Sequence, residues 1–389
     1  MNEQKLARAS AILSDLIGFP TISARSNLDL INYISALLAR SGIECVPVFN
    51  EERTKANLVA ALGPKERSGG VLLSGHTDVV PVEGQAWTSD PFIMQERDGK
   101  FFGRGACDMK GFIACVLAEA EALDARTLTK PFQMIFSFDE EIGCVGVRRV
   151  IDNFSSLAAL PSLIIVGEPT MMEPAIGHKG KIAGLIRCKG HECHSSQAPD
   201  GLNAIYLASD MIEAARRLQD DVAKAPYADD GFTVPYSTIH VGTIKGGTAL
   251  NIVPADCALA FEIRNNPSDS PDILLKHLFD EAARLTSNAK RRFPECGVTI
   301  DITNRYPGLM MKDDSASLTY IQSLVGIPSA GKISFGTEGG LFREALGVPT
   351  YVCGPGDIEQ AHKPDEFITR DQMARCLTFL EKLSDGLRH

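Results

Sequence analysis

A chain of 389 residues exceeds the size at which a single hydrophobic core keeps growing, so two domains are expected. With 44% hydrophobic and 23% charged residues and no low-complexity tract, the composition excludes a disordered or fibrous chain. The 39 basic and 49 acidic residues leave a net charge of −10, and no Lys/Arg run is present to neutralise phosphates in series, which argues against nucleic acid as the main partner.

The amino end, MNEQKLARASAILSDLIGF, has no uninterrupted apolar h-region and no small-residue cleavage pattern. No stretch approaches the roughly 20 apolar residues of a membrane span, and a cytoplasmic location is expected. The 10 cysteines include no CxxC pair and read as small buried residues kept reduced. One patch, Cys188, His191, Cys193 and His194, has the residue types of a small zinc knuckle but lacks its paired CxxC ends.

In chain order, apolar residues at helical spacing predict a helix over 3–18, closed by Pro20, and a second over 28–38, ending before Gly42. Short apolar runs at 45–48, 58–62 and 71–74 read as strands, followed by a hairpin at Asp98-Gly99 and a helix over 109–123. A strand at 133–138, a short helix near 145–153 and a strand at 162–166 continue the alternation, which indicates an α/β sheet covered on both faces. Beyond Gly177 the order changes: strand 179–189, helix 201–217, strands 237–245 and 255–264, helix 271–287 and strand 297–303. This βαββαβ order suits a small sheet with both helices on one face. The α/β pattern then resumes, with strands at 332–335 and 350–353 and a helix from Arg370. The chain therefore divides into 1–177 plus 308–389, with 178–307 inserted.

Five side chains of metal-binding type end predicted strands or lie in the loops that follow them. They are His76 in SGHTDVVP, Asp108 in FGRGACDMKG, Glu141 in FSFDEEIGC, Glu168 in VGEPT and His362 in CGPGDIEQAHKPDEF. Chemistry in such sheets gathers beyond the carboxyl ends of the strands. Imidazole and carboxylate together suit zinc, cobalt or manganese. Five ligands serve two metals if one carboxylate bridges, and Asp108, short and flanked by Gly103, Gly105 and Gly111, is the best bridge. Asp78, two residues after His76 on an extended segment, is placed to accept the other ring N–H of His76. Glu140, beside Glu141, is placed to remain free as a general base.

These five stretches, in this order, resemble the signatures of the metallohydrolase family that contains acetylornithine deacetylase, succinyl-diaminopimelate desuccinylase and glutamate carboxypeptidase. The resemblance spans nearly the whole chain. It implies a zinc-peptidase-like α/β catalytic domain with two metal ions, zinc first and cobalt or manganese as alternatives, and an inserted ferredoxin-like dimerisation or lid domain. It implies His76 and Glu168 on one metal, Glu141 and His362 on the other, Asp108 as bridge, Glu140 as base and Asp78 as support for His76. It also implies that the peptide bond after the bridging aspartate is often cis.

In the inserted segment, His194 in GHECHSSQAPDGLNAI resembles the family histidine that reaches from the partner subunit toward the scissile carbonyl oxygen. Asn251 in GGTALNIVPADC and Arg264 in FEIR resemble residues that hold the substrate's carbonyl and carboxylate. Read alone, the same three residues are a cap, a turn amide and a surface ion pair. The resemblance implies a homodimer that hydrolyses a small N-acyl amino acid. SFGTEGGLF (334–342) and the His362 stretch resemble those of the family's acetylornithine deacetylases, which implies deacetylation of N-acetylornithine rather than desuccinylation, general acylamino-acid hydrolysis or carboxypeptidase action. Glu338 is then placed to face the cationic end of the substrate, or to cap a loop. A non-catalytic binder of amino-acid derivatives would be expected to lack the base or a ligand, and none is missing.

Overall fold

The computed structural model describes residues 3–225, 228–312 and 315–388. The chain folds as two units. The first comprises Met1–Gly177, Leu309–Lys332 and Thr337–His389; the second comprises His178–Gly308 and Ile333–Gly336.

The first unit is built on a mixed sheet. Four adjacent strands, Phe132–Ser137, Val71–His76, Leu163–Pro169 and Thr350–Gly354, run parallel, and all four are completely buried. Burial on both faces explains their continuous apolar runs. Ala56–Leu62 and Cys45–Phe49 extend one side antiparallel, and Ala175–His178 borders the other. The helix Gly111–Ala122 is apolar almost all round and buries 10 of its 12 residues, as a helix covered on every side must. Its one buried acid, Glu119, takes Lys5 Nζ at 2.7 Å and Ser384 Oγ at 2.7 Å. The flanking helices Glu3–Ile17 and Arg370–Asp385 turn their apolar stripes to the same core.

The sequence reading misses several short elements: the helices Ala316–Val325 and Gly339–Leu346, and a three-residue strand, Phe367–Thr369, that adds to the hairpin Gln95–Arg97 and Lys100–Phe102. The expected strand at 332–335 is Gly331–Ile333.

The second unit has the order strand Lys181–Lys189, helix Ala204–Ala223, strands Thr238–Gly246 and Asp256–Arg264, helix Pro271–Lys290 and strand Gly297–Tyr306. Its four strands are antiparallel. Thr238–Gly246 and Gly297–Tyr306 form the edges, with Asp256–Arg264 and Lys181–Lys189 between them. Strand positions alternate buried and half-buried in Lys181–Lys189 and Asp256–Arg264, so one face packs the two helices and the other is open. Among the described residues no helix is long and apolar enough to cross a membrane.

Candidate metal centre

The parallel strands deliver the centre. His76 is the last residue of its strand, Glu168 lies near the end of the next, and Glu140 and Glu141 follow the strand Phe132–Ser137. Asp108 lies in the loop ahead of the buried helix, and its peptide bond to Met109 is cis. His362, at φ 63°, follows the fourth strand. The glycines here are close-approach residues. A Cβ on Gly167 would lie 2.1 Å from the Phe112 ring, and one on Gly354 would lie 2.0 Å from the Gly167 carbonyl oxygen.

The two oxygens of Asp108 point to different histidines. Oδ1 lies 2.9 Å from His76 Nε2, and Oδ2 lies 3.2 Å from His362 Nε2. Glu168 Oε1 is 3.7 Å from His76 Nε2, and Glu141 Oε2 is 3.1 Å from His362 Nε2. Two donor sets result, His76–Asp108–Glu168 and Asp108–Glu141–His362, with the ligand atoms of each set within 4.8 Å of one another. Imidazole nitrogen with carboxylate oxygen is the donor chemistry of zinc, cobalt or manganese, so the residues fit the ions that the fold implies. The knuckle reading finds no such grouping among the described residues: Cys188 is in the core of the second unit, Cys193 donates to the Gln197 carbonyl, and His191 stacks on Phe293 beside Glu295.

Asp78 supports His76 differently from the sequence reading. His76 Nδ1 donates to the Asp78 backbone carbonyl at 2.9 Å, whereas the carboxylate stands 3.6 Å away. The carboxylate instead accepts the backbone N–H groups of Glu140 at 3.0 Å and Glu141 at 3.3 Å, and the Ser23 hydroxyl at 2.7 Å. It thereby holds the loop that carries Glu140 and Glu141. Asp139 anchors the same loop through the Ala24 N–H and the Lys55 ammonium. Glu140 belongs to neither donor set. Its Oε1 accepts the Cys144 thiol at 3.2 Å.

Charge is tightly coupled here. Burial opposes the His76 imidazolium, yet Asp108, Glu168 and Asp78 hold its pKa well above the ordinary value. Hydrogen bonds donated by His362 to Asp108 and Glu141 push its pKa up to about 10. Burial pushes Glu140 up to about 8, against the pull of His76, and pushes Glu141 up to about 7, helped by Asp108. Burial and the neighbouring carboxylates raise Glu168 well above the usual range, while His362 and His76 keep Asp108 low despite its burial.

Glu338 is not open to a substrate. It is 1% exposed, its Oε2 accepts the Ser74 hydroxyl at 2.9 Å, and its side chain caps no helix. The residues of the second unit form their own arrangement. His194 is exposed, and its Nδ1 accepts from Ser196 N at 3.2 Å and faces Ser196 Oγ at 2.8 Å. This is the cap reading, and it leaves the ring proton on Nε2. The neighbouring Ser195 N–H binds the Asn251 carbonyl at 2.9 Å, with the Asn251 side chain exposed. Arg264 is engaged with Glu262 at 3.3 Å and the Tyr306 hydroxyl at 3.1 Å.

The family model for peptidases of M20/M25/M40 matches residues 72–385. The chain belongs to this family. As an M20 member it is a metal-dependent amidohydrolase. It is 38% identical over 372 residues to the acetylornithine deacetylase of Proteus mirabilis, covering 94% of this chain and 92% of that one. It is 35% identical over 389 residues to the acetylornithine deacetylase of Photorhabdus laumondii, covering 98% and 97%. In fold it matches the M20 metallo-carboxypeptidase Sso-CP2 of Sulfolobus solfataricus, with a TM-score of 0.77, 18% identity and coverage of 98% and 99%. The M20 fold thus accounts for both units of the chain.

Proposed function

We propose that this chain removes the acetyl group from N-acetylornithine, releasing ornithine and acetate for arginine biosynthesis in the cytoplasm. The observation that carries the catalytic reading is Asp108, whose two oxygens belong to two different donor sets. The choice of acyl group and amino acid is supported by the relatives named acetylornithine deacetylase.

His76, Asp108 and Glu168 would hold one divalent ion, and Asp108, Glu141 and His362 the other, with zinc the first choice and cobalt or manganese as alternatives. When bound, such ions lower the pKa of a water nucleophile and polarise the acyl carbonyl. Glu140 then acts as general base. With Oε1 on the Cys144 thiol, Oε2 takes the proton of the attacking water and passes it to the departing amine. His194 Nε2–H donates to the developing oxyanion, and Asn251 and Arg264 orient the substrate's carbonyl and carboxylate. Asp78 keeps Glu140 aimed by holding its backbone.

Residues 1–177 and 308–389 supply the catalytic domain, and 178–307 the dimerisation domain of a homodimer. The edge position of Thr238–Gly246 in its sheet and the exposed Leu250, Ile252 and Tyr206, which line one cavity of about 620 Å³ within the second unit, support that role.

The test is turnover by zinc- or cobalt-loaded protein of N-acetylornithine, N-succinyl-diaminopimelate, N-acetylmethionine and a glutamyl peptide. N-acetylornithine should give the highest kcat/KM. Glu140→Gln should keep its metals and lose about 10²- to 10⁴-fold in kcat. A preference for another substrate would replace the proposed one, and no turnover of any would turn the chain into a binder.

A further inference from the structure

Glu366 lies four residues beyond His362 and is 1% exposed. Its carboxylate belongs to neither donor set, and it accepts four hydrogen bonds from the Asp108 loop. Oε1 accepts the backbone N–H groups of Cys107 at 2.9 Å and Asp108 at 3.0 Å. Oε2 accepts the Gly105 N–H at 3.0 Å and Arg104 Nη1 at 2.8 Å. Arg104 is itself 1% exposed, and its Nη2 donates to Gln85 Oε1 at 2.5 Å. Gln85 turns its amide N–H to the His362 carbonyl at 2.9 Å.

We infer that Glu366 is a positioning residue that locks the Asp108 loop to the His362 loop, so that both donor sets keep one geometry. The inference rests on the reading of Asp108 and His362 as metal ligands. The physical reason is donor counting. Three N–H groups of one loop and one guanidinium converge on a single side chain, and only an ionised carboxylate offers acceptors alone at both ends. Loops rather than strands carry Asp108 and His362, so neither is fixed by sheet hydrogen bonds. Glu366 and Gln85 supply the fixation that the strand gives His76 and Glu168. The ordering of a ligand by a neighbour that does not touch the metal commonly sets affinity by about 10- to 100-fold.

The decisive variant is Glu366→Gln, which replaces one acceptor with an NH₂ group facing N–H donors. Zinc affinity, measured by chelator competition, should fall about 10- to 100-fold while the metal-free protein keeps its far-UV circular dichroism. Unchanged zinc affinity in the folded variant would overturn the inference. So would a lower melting temperature of the metal-free protein with unchanged affinity of the folded fraction, because Glu366 would then be structural only. If Glu366→Gln does not fold, Glu366→Asp decides in the same way: it keeps the charge beside Arg104 and shortens its reach by one methylene. Asp108→Ala separates the two levels. If it binds two zinc ions as the wild type does, the ligand reading itself fails. If it loses them while Glu366→Gln binds normally, only the inference fails.

Discussion

In the metal-free protein His76 Nε2 and His362 Nε2 face the Asp108 carboxylate at 2.9 and 3.2 Å, so a proton competes for the positions that a metal would take. With His76 Nδ1 donating to the Asp78 carbonyl, the 2.9 Å approach of Nε2 to Asp108 favours a second proton on the ring of the metal-free protein. His362, pushed up to about 10, is held as imidazolium by Asp108 and Glu141. A divalent ion must displace these protons, because only the neutral nitrogen ligates. The sign follows directly. As pH rises the protons become easier to remove and metal affinity increases; as pH falls through about 7, Glu141 also takes up a proton and affinity falls more steeply. Calorimetric zinc titrations in buffers of different ionisation enthalpy should register release of about one proton per ion or more near neutral pH. Equal affinity from about pH 6 to pH 9 would show that these protons do not occupy the ligand atoms.

At the scale of elements, the centre depends on how closely the strand ends approach the buried helix. Gly167 precedes the candidate ligand Glu168, and a Cβ there would meet Phe112 at Cδ1, 2.1 Å away, and at Cγ, 2.2 Å away. Cγ is the root of the ring, so a rotation of the ring cannot clear it, and Phe112 is buried in the core. Gly167→Ala should therefore destabilise the fold by about 1–3 kcal/mol through overpacking. The strand must also shift outward, which weakens zinc binding through Glu168. Urea unfolding of the metal-free variant checks the first effect and chelator competition the second; wild-type values in both would mean that the strand end yields freely.

The same elements mark what was legible beforehand. Period-3.6 runs and long apolar strands identify themselves, and so does the βαββαβ order. A three-residue strand such as Phe367–Thr369 carries no period, and Gly339–Leu346 opens on two glycines that disfavour a helix. The candidate ligands were readable because they end apolar strands or lie in the loops that follow them, but their orientation was not. HxD spacing puts Asp78 on the correct side of the chain. Only the fold reveals that its carbonyl serves His76 and its carboxylate serves the next loop. Glu366 stood inside a motif already singled out, yet its partners lie about 260 positions earlier, and nothing local signals them.

At the scale of the whole molecule, the proposed activity requires two chains, since His194 is expected to serve the partner's centre. The surface for that assembly has a specific character. Among the described residues Thr238–Gly246 is an edge strand of its sheet, Ile244 on it is 52% exposed, and Leu250 just beyond it is fully exposed. An exposed strand edge flanked by apolar side chains is what a soluble protein avoids unless another chain covers it. Replacing Ile244 with Lys and Leu250 with Asp places charges where that cover would sit, without touching the buried core of the second unit. The double variant should sediment as a single chain of 42.0 kDa and bind metal as the wild type does, because both candidate donor sets belong to the first unit. Its kcat should fall by about 10²- to 10³-fold, the cost of one lost oxyanion donor, and should match that of His194→Ala. A monomer with undiminished kcat would confine catalysis to one chain and leave His194 as the cap it forms with Ser196. A variant that stays dimeric would move the interface elsewhere.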